Sequence, residues 1–195
     1  MENVNFVNMH RYQSIERIVY QTVKDVKPKV VVELGHGSGA LTSAMGLALR
    51  DLDIGGKIYS YDINGTTTYR LGNNTVSALQ NIQERNLTDI VEFTSGDVLN
   101  TWVKNPYSFD LLLIDIDNTW DKIYDIVIAS TYINNQVING AKVLIEGGDP
   151  GHPRINHNTL SSFNSIIGRE VFTLTHLGGS GRTSISTLEI LPQVL

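Results

Sequence analysis

Two hydrophobic periods alternate along this chain, and few architectures accept both. Short β-branched runs of period two or less recur between segments whose apolar residues return every three to four positions. Ile15, Ile18, Val19, Val23 and Val26 fall at helical spacing, which predicts a helix over residues 11–26, and Pro28 prevents its continuation. Residues 29–34 (KVVVEL) then read as a strand covered on both faces. Further strands are predicted over 57–61, 90–94, 110–114 (DLLLI) and 141–145 (AKVLI). Helices are expected between them: one carrying Leu41, Ala44, Met45, Ala48 and Leu52, one within 75–85, and one over 121–137. Strands alternating with helices imply a parallel sheet with helices on both faces. The end of the chain departs from that rule. Strand-like residues 170–176 and 183–191 are separated only by residues 177–182 (LGGSGR), too short for a crossover helix. They should form an antiparallel hairpin. The expected fold is therefore α/β, three layers around a seven-stranded, mostly parallel sheet with an antiparallel last strand.

Composition narrows the class. The 195 residues carry 15 Lys plus Arg against 20 Asp plus Glu, a net charge of −5, with 41% hydrophobic residues and no Cys. That balance fits one globular domain over 1–195, with 1–28 as an N-terminal helical extension. It offers no basic surface for nucleic acid. Without Cys there is no disulfide, thiolate metal site or thiol nucleophile. No basic-then-apolar leader or bilayer-length apolar run is present, so the expectation is a cytoplasmic protein without membrane contact.

The chemistry gathers at the carboxyl ends of the strands. After the first strand comes Glu33-Leu34-Gly35-His36-Gly37-Ser38-Gly39, a turn whose glycines let backbone approach a ligand at a helix N-terminus. Taken alone, such a turn is weak evidence. Asp62 closes the second strand 23 residues after Gly39, where a carboxylate can accept both hydroxyls of a ribose. Gly96-Asp97 follows the third strand, and Asp115 the fourth. One such acid is usually a cap. Four along the edge where open α/β sheets bind ligands point to a nucleoside site. Gly35, Gly37 and Ala40 also satisfy a loose dinucleotide pattern, so NAD is an alternative. Against it, Glu33 would stand unfavourably close to a pyrophosphate, yet suits a cationic head group.

Together, Glu33-x-Gly35-x-Gly37-x-Gly39, Asp62, Gly96-Asp97, Asp115 and the closing hairpin resemble a class I S-adenosylmethionine (SAM)-dependent methyltransferase. The resemblance covers roughly residues 30–191. It implies that Glu33, Gly35, His36, Gly37 and Gly39 hold the methionine end of SAM. Asp62 and Ile63 would meet the ribose and its surroundings, Asp97 and Val98 the adenine, with Asp115 near the transferred methyl. The run from Ile114 to Asp121 (IDIDNTWD) is similar to that of small-molecule O-methyltransferases, including the macrocin and cephalosporin-hydroxylase-like branch. The chain departs from them at Asn118, where the family has His, and at Glu146-Gly147-Gly148-Asp149, where it has an acidic pair. Asp115, Glu146 and Asp149 could still cage a cation such as Mg2+.

Candidate bases are His152, His157 and His176, with Asp115 a further candidate catalytic residue, and the His-rich segment 148–158 would shape an acceptor pocket. The nucleic-acid methylating signatures are missing: no Asn/Asp-Pro-Pro-aromatic run, no Cys nucleophile, and only Arg154 to complete a Lys-Asp-Lys-Glu-like set with Asp115 and Glu189. The expected activity is O-methylation of a small molecule. A non-catalytic SAM- or nucleoside-binding module acting through a partner, and an NAD-linked oxidoreductase, are the alternatives. The hairpin tip 178–182 is a candidate contact for a second copy in a homodimer.

Overall fold

A computed structural model describes residues 13–66, 69–71, 74–102, 108–116, 139–146, 149, 172–180 and 183–190. The predicted helix over 121–137 lies outside them, as do Asn118, His152, Arg154 and His157.

The chain opens with α1 (Gln13–Val26), which presents Ile15, Val19 and Val23 as one fully buried stripe. Lys27 turns into the left-handed region with φ 53°, and Pro28 follows. Then come β1 (Val30–Leu34), α2 (Ala40–Leu52) and β2 (Lys57–Asp62). A small ribbon, β3 (Tyr69–Leu71) paired antiparallel with β4 (Asn74–Val76), interrupts the alternation before α3 (Ala78–Glu84). After it run β5 (Val91–Ser95), the one-turn α4 (Val98–Thr101), β6 (Leu111–Ile114) and β7 (Lys142–Glu146). The last two strands are β8 (Phe172–Ser180) and β9 (Thr183–Ile190).

Seven strands form the main sheet in the order β5-β2-β1-β6-β7-β9-β8. The first five are parallel, and β9 is antiparallel to both of its neighbours. This is the Rossmann-like methyltransferase fold. The antiparallel strand enters between β7 and the outer strand β8 because two strands joined by a tight turn must pair side by side.

Alternating side chains divide the core into two layers. Val32, Leu34, Leu112, Ile114, Val143 and Ile145 meet Trp102 and Phe109 on one face. Val31, Leu111, Leu113 and Leu144 meet α1 and α2 through Ile15, Val19, Met45 and Ala48 on the other. The N-terminal helix thus belongs to the core. Two of its neighbours are the final strands: a Cβ on Gly178 would stand 2.7 Å from Ile18 Cδ1. Among the described residues, no helix is long and apolar enough to cross a membrane.

Strand order reverses between β1 and β6. In open α/β sheets such a reversal marks a crevice outside the carboxyl ends of the strands, where ligands bind.

Candidate ligand site at the carboxyl edge of the sheet

The glycine turn fills the start of that crevice. Gly35, Gly37 and Gly39 have φ of 92°, 47° and 78°, a backbone path that side chains other than glycine resist. At Gly35 space is also decisive, since a Cβ would lie 1.9 Å from the carbonyl oxygen of Asp115. The turn is tied down on both sides: Gly35 N donates to Tyr61 O at 2.7 Å, and Asp115 N donates to Leu34 O at 2.8 Å. From α3, Asn81 Nδ2 donates to Ser38 O at 2.7 Å.

Asp62 is the joint of the site. Its Oδ2 accepts from Gly37 N at 2.9 Å and its Oδ1 from Asn64 N at 2.8 Å. Its carbonyl oxygen accepts from Gly96 N at 2.9 Å. One residue thereby links the turn after β1, its own turn and the loop after β5. A carboxylate has about four acceptor positions, so these two N–H bonds leave others available. Ile63, next along the chain, is 68% exposed.

Below the turn lies Glu33, completely buried. Thr42 Oγ1 in the first turn of α2 and Ser60 Oγ on β2 each hydrogen-bond its Oε2 at 2.6 Å. Ser60 is its direct neighbour in the parallel register. Oε1 has no partner. Burial pushes the Glu33 carboxyl up to about 8; the two hydroxyls oppose the rise, and the negative charges of Asp115 and Asp62 add to it. His36 was expected to hold the cofactor, and the structure gives it other work. Its Nδ1 stands 3.0 Å from Ser60 Oγ and its Nε2 3.1 Å from Gly65 O, with Phe93 edge-on at 4.7 Å. Both ring nitrogens are therefore spent on protein. Burial lowers its pKa, against the pull of Asp62 and the Gly65 carbonyl.

Asp115 leaves β6 beside Glu146, which leaves β7, because Ile114 and Ile145 are register partners. The two carboxyl groups hydrogen-bond each other. Burial raises Asp115 to about 7, with the charge of Asp62 adding and the Glu146 bond opposing. Asp149 is tied to β9 through its backbone N, which donates to Ser184 Oγ at 3.0 Å. Among the described residues, no group of three His, Asp or Glu side chains is placed to hold a metal ion.

Asp97 caps α4, its Oδ1 accepting from Leu99 N at 3.0 Å, while Val98 packs into the core. His176 is exposed on the outer strand β8, two strands beyond β7, and so does not join Asp115. Its predicted place at the site fails because β9 inserts between. Ser60, Thr42 and Asn81 were not singled out in the sequence. Thr42 sits three residues after Gly39, a spacing that could have marked it. Ser60 and Asn81 depend on strand register and helix docking, which leave no local signal.

Residues 32–138, more than half of the chain, match a family model described as a methyltransferase domain. No curated protein matches the chain. Among solved structures, a methyltransferase from Podospora anserina with SAH bound is 17% identical, covering 91% of this chain and 78% of its own, with a TM-score of 0.61. The O-methyltransferase TomG from Streptomyces achromogenes, in complex with SAM, is 17% identical over 91% of this chain and 79% of its own, TM-score 0.60. An O-methyltransferase from Bacillus cereus in complex with SAH is 15% identical over 96% and 85%, TM-score 0.61. At such identities the likeness is one of fold.

Proposed function

The chain belongs to the methyltransferase-domain family, and from that membership we propose that it transfers a methyl group from SAM to an oxygen of a small molecule. The NAD-linked alternative gives way to this membership. The observation that carries the reading is the bond from Gly37 N to Asp62 Oδ2, which puts the glycine turn and the acid that ends β2 on one rim. The residues suit this cofactor. Buried Glu33 Oε1 is an acceptor without a partner, as a site for a cationic ammonium group requires. Backbone from Gly35 to Gly39 would lie along the methionine portion, and Asp62 would take the ribose hydroxyls. The exposed Ile63 offers apolar cover for the adenine, with Asp97 and Val98 at its edge.

SAM, when bound, supplies a methyl on a sulfonium, already activated for in-line displacement. The protein's share is to align the acceptor, exclude water and take a proton from a hydroxyl acceptor. Asp115 is the base we assign: its carboxyl, raised to about 7, lies close to the pH at which it must work. Glu146 holds it in place. That two fold neighbours are O-methyltransferases agrees with oxygen as the acceptor. That TomG is involved in tomaymycin synthesis supports a small-molecule substrate.

Titration calorimetry tests the cofactor. SAM should bind with a Kd well below about 1 mM, and Asp62→Ala should weaken it at least about tenfold. Affinity no better than millimolar for SAM, with NAD bound more tightly, would overturn the reading. Methyl transfer is then assayed over catechols, sugars and macrolides, with and without Mg2+. Asp115→Asn should lower kcat with little change in SAM affinity; a variant with unchanged kcat removes Asp115 as the base.

A further inference from the structure

Glu33, Ser60 and His36 form an unbroken hydrogen-bonded chain under the glycine turn, and its hydrogens are few. His36 Nε2 faces the Gly65 carbonyl oxygen at 3.1 Å, which only accepts, so Nε2 carries a hydrogen. Nδ1 lies 3.0 Å from Ser60 Oγ, and that Oγ lies 2.6 Å from Glu33 Oε2. The serine hydroxyl has a single hydrogen to give. Directed at Glu33, it obliges Nδ1 to donate, and the ring is an imidazolium facing a carboxylate. Directed at Nδ1, it obliges Oε2 to donate, and a neutral carboxylic acid faces a neutral ring. Both arrangements satisfy every atom of the chain. An ionised Glu33 with a neutral ring satisfies neither, since two buried lone pairs then oppose each other.

The geometry points to Glu33 and His36 sharing one proton through Ser60, which rests on Glu33 in the ligand-free protein and passes to His36 when a cationic cofactor binds. In that passage the Oε2–H bond breaks as a new O–H bond forms on Ser60, whose own hydrogen moves to Nδ1. The protein neither gains nor releases a proton. His36 is thus a positioning residue, acting on the charge of Glu33.

The surroundings favour each state in turn. Glu33 and His36 are 0% and 4% exposed, so without a ligand the uncharged pair is preferred. Asp62 from β2 and Asp115 after β6 raise the cost of a third negative charge beside them. Thr42 from α2 hydrogen-bonds Oε2, and Phe93 from β5 contributes only an apolar ring. A positive ligand offsets that cost at the free Oε1 of Glu33. Asp62 in turn favours a positive ring on His36.

The second half rests on the SAM reading, and the experiment separates the two. Histidine ring 15N and Glu side-chain 13C NMR on the ligand-free protein at pH 7 should show a neutral His36 with hydrogen on Nε2 and a protonated Glu33. Saturating SAM should convert the ring to imidazolium. In Ser60→Ala the ring should stay neutral with SAM present, and affinity should fall about tenfold. An ionised Glu33 beside a neutral ring in the ligand-free wild-type protein overturns the shared proton. A ring that stays neutral in the wild-type SAM complex overturns its transfer. If SAM does not bind at all, the functional reading and the transfer fail together, while the ligand-free spectra still decide the sharing.

Discussion

Glu16 sits in the first turn of α1 with both carboxylate oxygens buried and, among the described residues, without a hydrogen-bond partner. Burial raises its pKa to about 7, and the positive charge of Arg85 only partly opposes that. Between the ordinary value of 4.5 and about 7, the folded chain keeps a proton that the unfolded chain releases. Stability from this residue is therefore intact at low pH and falls as pH rises through that window. Glu16→Gln should exceed the wild type by about 1 kcal/mol or more at pH 8, with the gap closing towards pH 4, in urea titrations at both pH values. Glu33 and Asp62 stand out in the sequence as candidate site acids because they lie at the ends of successive strands, with a glycine turn directly after the first. His36 stands in the same turn, and in the fold its Nδ1 meets Ser60 Oγ. A sequence does not say which residues of β1 and β2 stand side by side.

Among the elements, α3 and the ribbon before it show how local preference is overruled. Val76, Leu79 and Ile82 fall on one helical face, yet the helix begins only at Ala78. Ser77 is its N-cap: in an extended conformation, its Oγ accepts from Gln80 N at 3.2 Å and donates to Thr66 O at 2.9 Å. Thr75 and its neighbours instead pair with residues 69–71, as β-branched residues tend to do. Ser77→Ala should cost about 1 kcal/mol and speed amide exchange across residues 69–76, since it removes both the cap and the tie at the ribbon's base. The glycine turn is less forgiving. With φ of 92° at Gly35 and the Asp115 carbonyl in the way, Gly35→Ala should cost on the order of 3 kcal/mol, read as a lowered Tm with loss of SAM binding.

At the scale of the whole molecule, β9 makes the last hairpin part of the main sheet. Ile185 and Leu188 are buried in opposite core layers, and α1 packs beside β8 and β9. The two ends of the chain thus depend on each other. Leu188→Ala should lower stability by about 2–4 kcal/mol and leave a single cooperative transition for α1 and the sheet, checked by calorimetry and residue-level amide exchange. Amino-acid order alone determined the alternation of strands and helices, the antiparallel ending, and the acids along one edge. Each of these is a matter of side-chain period, glycine placement or loop length, which neighbouring residues set. Tertiary structure decided that Glu33 meets Ser60, that Asp115 meets Glu146, and that His176 lies two strands away. Those pairings come from register and strand order, which free energy summed over the whole sheet selects and no short segment encodes.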